Sequence, residues 1–317
     1  MNELTNYFSR DNLLEMRGRA FDASLDVYVD CASSFPKQRF YILRRALDAL
    51  PAAGLSYRVL GRSDTEGGAC VSIVHVDLTE VPESFLPTAG AYSVCLNGGA
   101  RSIHRHLYST ARIDRGSAYA GPVIVKTVLN HRGIPELAYR CHSDRLFRWR
   151  YRFDRFLGNP IKRAHCPEYA IYLSKEAVPD SVWGDARLLV ERFLPGSMKL
   201  PIVKYRYDFF LDVTLHTRAV YDSLLCDHTK VREVSLIDGI PDSIMQVRCN
   251  LQLDFGSIDY FVVEGEAVTV DANKTTTCTE DWVSRYPAVS RYHRDVGARL
   301  VDVIRKGHAR DISAAAG

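Results

Sequence analysis

The chain lacks any uninterrupted apolar run approaching about 18 residues, the length a helix needs to cross a bilayer, so no membrane span is expected. Its first residues, MNELTNYFSRDNLLEMRGR, carry acids and have no apolar core, which argues against a secretory signal. None of the eight cysteines (Cys31, Cys70, Cys95, Cys141, Cys166, Cys226, Cys249 and Cys278) forms a CxxC pair. That scatter fits reduced thiols in a cytoplasmic protein better than a disulfide framework or a zinc site. Charge of one sign is also scarce: a net +3 over 317 residues argues for no particular partner, nucleic acid included. There is no internal repeat. With 46% hydrophobic and 25% charged residues, the composition is that of a globular protein, long enough for two domains.

Residues 1–24 read as a polar lead-in, with a short helix near Leu13 to Met16. Leu25 to Val29 reads as a buried strand. Phe40, Leu43, Leu47 and Leu50 then fall at helical spacings, ended by Pro51 and Gly54. Tyr57 to Leu60 and Ala69 to Val76 read as further strands, so the first part of the chain is a small α/β domain. His75 and Asp77 would share one face of a strand and invite a metal or proton-transfer role; strand-end His and Asp residues are more often structural. Asn97-Gly98-Gly99-Ala100 lacks the trailing Lys-Ser/Thr of a phosphate loop and is read as a turn. Arg140 to Arg155 mixes arginines with aromatics. A helix or strand whose arginine stems cover apolar surface, or a local anion site, explains it better than nucleic-acid binding does.

The most informative stretch is Leu253 to Thr277. Two runs of β-formers, Ile258 to Val263 and Ala267 to Val270, flank Glu264-Gly265-Glu266, which is a hairpin signature. Folding about Gly265 sets Asp259 opposite Asp271, where side chains are about 4.5–5.5 Å apart at Cβ. Asn273 returns to the same face by the two-residue pleat. Two carboxylates and an amide oxygen on one face suit Mg²⁺ held together with nucleotide phosphates. A solvated hairpin with acidic ends is the competing account.

Gly256-Ser257-Ile258-Asp259-Tyr260, a glycine turn and Val270-Asp271-Ala272-Asn273 resemble the metal-binding end of the ATP-grasp superfamily. Two upstream stretches resemble it as well, in the family's order: Pro122-Val123-Ile124-Val125-Lys126-Thr127, and Val190-Glu191-Arg192-Phe193-Leu194 before a Pro-Gly break. The resemblance covers roughly residues 111–305. It implies an α/β ATP-grasp fold, in which two α+β lobes clasp ATP, over residues 111–310. A small α/β pre-ATP-grasp domain would occupy residues 1–110, and a loose tail residues 311–317. By resemblance, Asp259, Asp271 and Asn273 hold Mg²⁺, and Lys126 meets the α- and β-phosphates. The Glu191 carbonyl accepts from the adenine amino group, while Leu194 or Phe193 supplies a backbone amide and an apolar wall. Arg206, with Lys204 as the alternative, reaches the phosphates or the substrate carboxylate, and Arg248 is the further candidate for the transferred phosphoryl group. The chain departs from the family twice. Where a first phosphate-contacting lysine usually stands there are only Arg101 and Arg105, and the flap region, Asn130 to Glu136, contains one glycine.

The implied activity is a ligase that uses ATP and Mg²⁺ to activate a carboxylate as an acylphosphate and joins it to an amine, on a small molecule or a peptide. The alternatives are a kinase acting on a hydroxyl and a nucleotide-binding protein without turnover. Neither a nucleic-acid nor a membrane partner is expected, and a homodimer is the default assembly.

Overall fold

A strand with every side chain buried needs cover on both faces, and β1 (Leu25–Val29) is such a strand. In the computed structural model, which describes residues 24–315 apart from 33, 63, 65–67 and 195–197, β1 is followed by a short helix, α1 (Ile42–Ala46). It lies between β2 (Tyr57–Leu60) and β3 (Val71–His75), with β4 (Val94–Leu96) outside β3, and all three pairings are parallel. The helix expected to run from Phe40 to Leu50 is a single α-helical turn continued by two 3₁₀ turns, and Gly54 ends it at a φ of 73°. Asn97-Gly98-Gly99 is a turn, as read. Asn97 is buried and its side chain donates to the Phe255 carbonyl, so it pins this domain to a distant strand rather than facing a phosphate.

The next strand, β5 (Val123–Thr127), leads into three helices: α2 (Ile134–Ser143), α3 (Arg145–Asp154) and α4 (Pro160–His165). Then come β6 (Ala170–Tyr172), the short α5 (Asp180–Trp183) and β7 (Leu188–Arg192). Strand β5 is central in this three-stranded antiparallel sheet, between β6 and β7. The segment expected as a flap is a tight turn, Asn130 to Gly133, feeding straight into α2. Arg140 to Arg155 lies on α2, α3 and the turn after them, so of the helix and strand left open the stretch forms helix.

The remaining chain builds a five-stranded antiparallel sheet. Its strands are β8 (Ile202–Phe210), β9 (Val213–Tyr221), β10 (Val231–Leu236), β11 (Phe255–Val263) and β12 (Glu266–Asn273), in the order β10-β9-β8-β11-β12. Helix α6 (Asp242–Asn250) precedes β11 and covers the rear face, where Ile244 and Leu251 pack on Tyr207, Phe209, Ile258 and Tyr260. The front face meets the three-stranded sheet through Phe193, Leu194, Ile124, Val268 and Val270. After α7 (Glu280–Arg285), Pro287 opens α8 (Pro287–Ala315). The helically spaced Val289, Val296, Leu300 and Val303 bury it against α1 and the parallel sheet. The backbone stays helical to Ala315, so residues 311–315 of the expected tail belong to α8. The expected helix near Leu13 and the Pro195-Gly196 break lie outside the described residues. Among the described residues no helix is long and apolar enough to cross a membrane.

His75 belongs to this scaffold. It is buried among Phe35, Tyr41 and Phe255, with ring centroids 5.4, 4.7 and 6.0 Å away, and neither ring nitrogen has a hydrogen-bond partner among the described residues. Burial pushes its pKa down to about 3. The folded state therefore holds His75 neutral where the unfolded chain, at its ordinary 6.5, takes up a proton. His75 thus favours the folded state less and less as pH falls from 6.5 towards 3. Phenylalanine keeps the ring contacts and cannot titrate. We expect the unfolding free energy of His75→Phe minus that of the wild type to grow by about 1.4 kcal/mol per pH unit below 6.5; urea titrations between pH 7 and 4.5 would measure this, and a constant difference would refute the assignment.

Candidate functional site

The β11–β12 hairpin turns on two residues, since Val263 pairs with Glu266. Glu264 and Gly265 both have positive φ, 52° and 85°, as a type I′ turn requires. A turn centred on Gly265 would have involved three. The one-residue difference is cancelled by a bulge on β12: Tyr260 pairs with Thr269 but Asp259 pairs with Asp271, leaving Val270 as the extra residue. Asp259 and Asp271 are cross-strand partners, as read. Ser257 pairs with Asn273, and Gly256 lets the strands close, because an added Cβ there would stand 2.3 Å from the Asn273 carbonyl oxygen.

Strand β8 pairs with the other edge of β11 and sets Arg206 opposite Asp259. Alternation puts Lys204, Arg206 and Asp208 on the face of Asp259. Lys204 Nζ lies 2.7 Å and Arg206 Nη1 3.4 Å from Asp259, while Arg206 Nε lies 2.9 Å from Asp208. Across the seam, Lys126 on β5 meets the fully buried Glu191 of β7 at 2.7 Å. Arg105, in the turn before β5, closes the middle. One guanidinium nitrogen donates to the bulged Val270 carbonyl at 2.6 Å; the other lies 2.9 Å from Asp271 Oδ1 and donates to Tyr169 Oη at 3.2 Å.

Four cations and four carboxylates thus alternate along one seam. Burial pushes the Asp259 carboxyl up, but Lys204 and Arg206 outweigh it and hold the group below its ordinary value. Glu191 behaves likewise: burial raises it, and Lys126 and Arg105 bring it below the usual range. All four carboxylates stand next to a cation, which is what burial demands of ionised groups.

The parallel-sheet domain reaches this seam through Thr79, whose hydroxyl accepts from the Asn130 amide at 2.8 Å. The Asn130 side chain in turn donates to Asn273 Oδ1 at 2.9 Å. Asp77 accepts from Tyr41 and Thr275, and burial pushes its pKa up to about 6. These bonds make Asp77 a clasp between the parallel-sheet domain and the chain after β12.

Lys126, Glu191, Arg105, Arg206, Asp259, Asp271 and Asn273 therefore converge. Two expectations need correction. Arg248 is on the rear of the sheet: it stacks on Phe209 at 4.2 Å and donates to Tyr207 Oη and to the Leu253 and Leu211 carbonyls. Tyr207 and Phe209 alternate away from Arg206, so the sheet separates Arg248 from the seam. The Phe193 amide donates to the Pro122 carbonyl at 2.8 Å and is not free for a base, which leaves the Leu194 amide. Asn130 to Glu136, which departs in sequence from the family's glycine-rich flap, is the turn and helix start described above. The sequence reading missed Ser109, which donates to Glu191, and Tyr108 and Tyr169, which flank Arg105 and Asp271. Nothing in their local sequence marks them. Asp208, two residues along β8 from Arg206, pairs with it on the same face.

The donor set around Asp271 can be tested against Mg²⁺. Asp259, Asp271 and the Asn273 amide are hard oxygen donors of the kind Mg²⁺ takes alongside waters and phosphate. Asn273 turns its nitrogen to Asp271 Oδ2 at 3.1 Å and its oxygen to Asn130; a half-turn of the amide exchanges the two. No group of three His, Cys, Asp or Glu side chains among the described residues could hold a metal alone. The set fits Mg²⁺ shared with phosphates.

No protein-family model matches the chain, and no curated protein matches its sequence. Solved structures do match its shape. The ATP-grasp ligase PsnB, complexed with a phosphomimetic variant of its minimal precursor, Mg and ADP, overlays at a TM-score of 0.52. It is 11% identical, and the overlay covers 90% of this chain and 99% of that one. PsnB complexed with the precursor peptide PsnA2 and AMPPNP overlays at 0.50 and 10% identity, covering 91% and 98%. The macrocyclase MdnC from Microcystis aeruginosa MRC, bound with precursor peptide MdnA, gives 0.45 and 12%, covering 88% and 99%. The chain has the mixed α/β architecture of the ATP-grasp fold.

Arg105 is the residue whose loss the geometry makes most costly. Arg105→Met would leave the Val270 carbonyl without its donor and Asp271 without its cation, and should destabilise by about 3–5 kcal/mol. Arg105→Lys should recover only part of this, because an ammonium cannot serve the carbonyl, carboxylate and phenol as a planar fork does. Urea denaturation of both variants checks this; a loss under about 1 kcal/mol would show that Arg105 is a bystander.

Proposed function

We propose that this chain, which has the ATP-grasp fold, is a ligase that activates a carboxylate with ATP and joins it to an amine. The observation that supports the reading is the charge-alternating seam between the three- and five-stranded sheets, where cations from β8 and the turn before β5 face the carboxylates of the β11–β12 hairpin and Lys126 of β5 faces Glu191 of β7. In this proposal residues 1–110 form the preceding domain and residues 111–310 the domain that clasps ATP. Lys126 and Arg105 face the phosphates, and Lys204 or Arg206 takes the phosphates or the substrate carboxylate. The Glu191 carbonyl, the Leu194 amide and the Phe193 ring hold the base. Asp259, Asp271 and Asn273 hold Mg²⁺, which when bound spreads the negative charge of the phosphates.

The chemistry asks little of the side chains beyond position and charge. A carboxylate oxygen attacks the γ-phosphorus, the bond to the β,γ-bridging oxygen breaks, and ADP leaves with the electron pair. The amine then attacks the acyl carbon, the acyl carbon–oxygen bond breaks, phosphate departs, and the amine gives up a proton. No protein nucleophile is required. The PsnB structures with precursor peptides support including peptides among the substrates to be tried.

The test is release of ADP and phosphate from ATP and Mg²⁺ in the presence of pooled amino acids, other small carboxylates and carboxylate-bearing peptides. Some pool should stimulate both products. Asp271→Asn should abolish the stimulation, and Lys126→Met should lower it by about 100-fold or more, with melting curves confirming that both variants fold. ADP without phosphate would instead establish transfer to a hydroxyl. ATP binding without turnover in any pool would establish a nucleotide-binding protein, the reading that the glycine-poor flap region favours.

Because Asp259 and Asp271 are already held by cations, Mg²⁺ alone should bind poorly and a phosphate chain should be needed to draw those cations away. Calorimetry should show negligible heat for Mg²⁺ alone and clear binding with a non-hydrolysable ATP analogue present. Equal binding in both would sink the shared-metal reading.

A further inference from the structure

The helical insert between β5 and β6 holds a surface that the proposed reaction does not use. Residues 131–165 carry nine Arg and Lys and three Asp and Glu, a net +6. The chain as a whole carries +3, so everything else sums to −3. The basic charge is concentrated in about a ninth of the sequence. The same segment concentrates exposed apolar side chains: Leu146, Trp149, Phe153, Phe156 and Leu157 all face solvent, Phe156 at 87% and Leu157 at 75% exposure. Trp149 and Phe153 touch, with ring centroids 4.5 Å apart, and Phe156 continues the row at 6.4 Å.

The opposite face of α3 fixes this orientation. Phe147 is buried and takes the Arg140 guanidinium on its ring at 4.1 Å. Asp154 is buried and accepts from the Ile161 and Lys162 amides at the start of α4. Arg148 donates to the Cys141 and His142 carbonyls, both at 2.6 Å, at the end of α2. Rotating α3 to hide Trp149 and Phe153 would break all three attachments. The helix is therefore apolar on both sides, and only one side has a partner among the described residues.

We propose that this outer face docks on an anionic lipid bilayer surface. Arg145, Arg150 and Arg152 stand exposed beside the rings, with no carboxylate partner among the described residues. Guanidinium groups next to Trp, Phe and Leu match the headgroup zone, where phosphates meet arginines and amphipathic rings settle at the acyl boundary. Shape decides between a bilayer and a folded partner. The apolar side chains project rather than line a groove, and a bilayer conforms to a projecting surface without a complementary cleft. The inference is independent of the ligase reading, because none of these residues belongs to the seam.

The test uses the purified full chain and sedimentation with vesicles of phosphatidylcholine, with or without about 30% phosphatidylglycerol. Binding should be about tenfold or more stronger to the anionic vesicles, should weaken in high salt, and should shift Trp149 fluorescence to the blue. Trp149→Ser with Phe156→Ser should cut binding about tenfold, and so should Arg150→Gln with Arg152→Gln. All four side chains are exposed, so melting temperatures should not move. Equal binding to neutral vesicles, or none to either, would overturn the proposal. So would full binding by the Trp149 and Phe156 double variant, since charge alone would then suffice. Tighter binding to a single-stranded oligouridine, or burial of Trp149 in a dimer that vesicles do not compete with, would overturn it too.

Discussion

A buried guanidinium at a strand bulge ties the pieces of this molecule together. The extra residue of a bulge leaves a backbone carbonyl outside the ladder, and a buried carbonyl without a donor is costly. Arg105 supplies that donor to Val270 and then pairs with Asp271, the next residue along. Its own amide donates to Val128, just past β5, and its side chain reaches Tyr169, just before β6. One residue thereby joins both sheets of the seam. The bulge and Arg105 require each other: the bulge brings Asp271 beside Asp259, and without the bulge the carbonyl would point into the ladder and leave Arg105 only the carboxylate.

This dependence explains how the hairpin could be read for partly wrong reasons. Asp259 and Asp271 were placed opposite each other by counting six residues from Gly265 on each arm. The turn holds two residues rather than three, and the bulge at Val270 restores the count. Bulges leave little trace in local sequence, and two β-branched residues before an aspartate could sit in a regular strand. The helix α8 and the strands β1, β5 and β7 were legible because their apolar periodicity or runs are long relative to any interruption. Arg248 was misplaced because no pattern in α6 says which sheet face it covers; the stacking on Phe209 that settles it is a contact across about forty residues. Ser109, Tyr108 and Tyr169 were invisible for the same reason, since each matters only through partners far away in sequence.

The seam shows why the ionised residues can be buried. Isolated carboxylates at such depth would rise in pKa and lose their charge. Here Asp259 and Glu191 are driven the other way, by Lys204 with Arg206 and by Lys126 with Arg105. Net neutrality makes the buried seam tolerable, and it also means that a polyanion would have to compete for cations already engaged. A cleft lined by bare lysines would attract phosphate more strongly but would be unstable without it. His75 makes the contrasting case: with no counter-charge in reach, burial resolves its charge by keeping it neutral.

The segment after β5 carries the last consequence. A mobile cover over a nucleotide needs weak ties and several glycines; residues 130–136 have the single Gly133 and are firmly tied. Asn130 is held to Thr79 by its amide and to Asn273 by its side chain, while Glu136 accepts from the Thr79 amide at 2.7 Å. His131 and Arg132 sit at φ values of 44° and 61°, a conformation that costs non-glycine residues roughly 1–2 kcal/mol each. Such strain persists only where the surroundings over-determine it, and these three bonds, with α2 starting at once behind them, do so. The segment therefore acts as a strut between the parallel-sheet domain and the hairpin. The apolar contacts among Phe193, Leu194, Val268 and Val270 then hold the three-stranded sheet against the five-stranded one beside the seam that this strut braces.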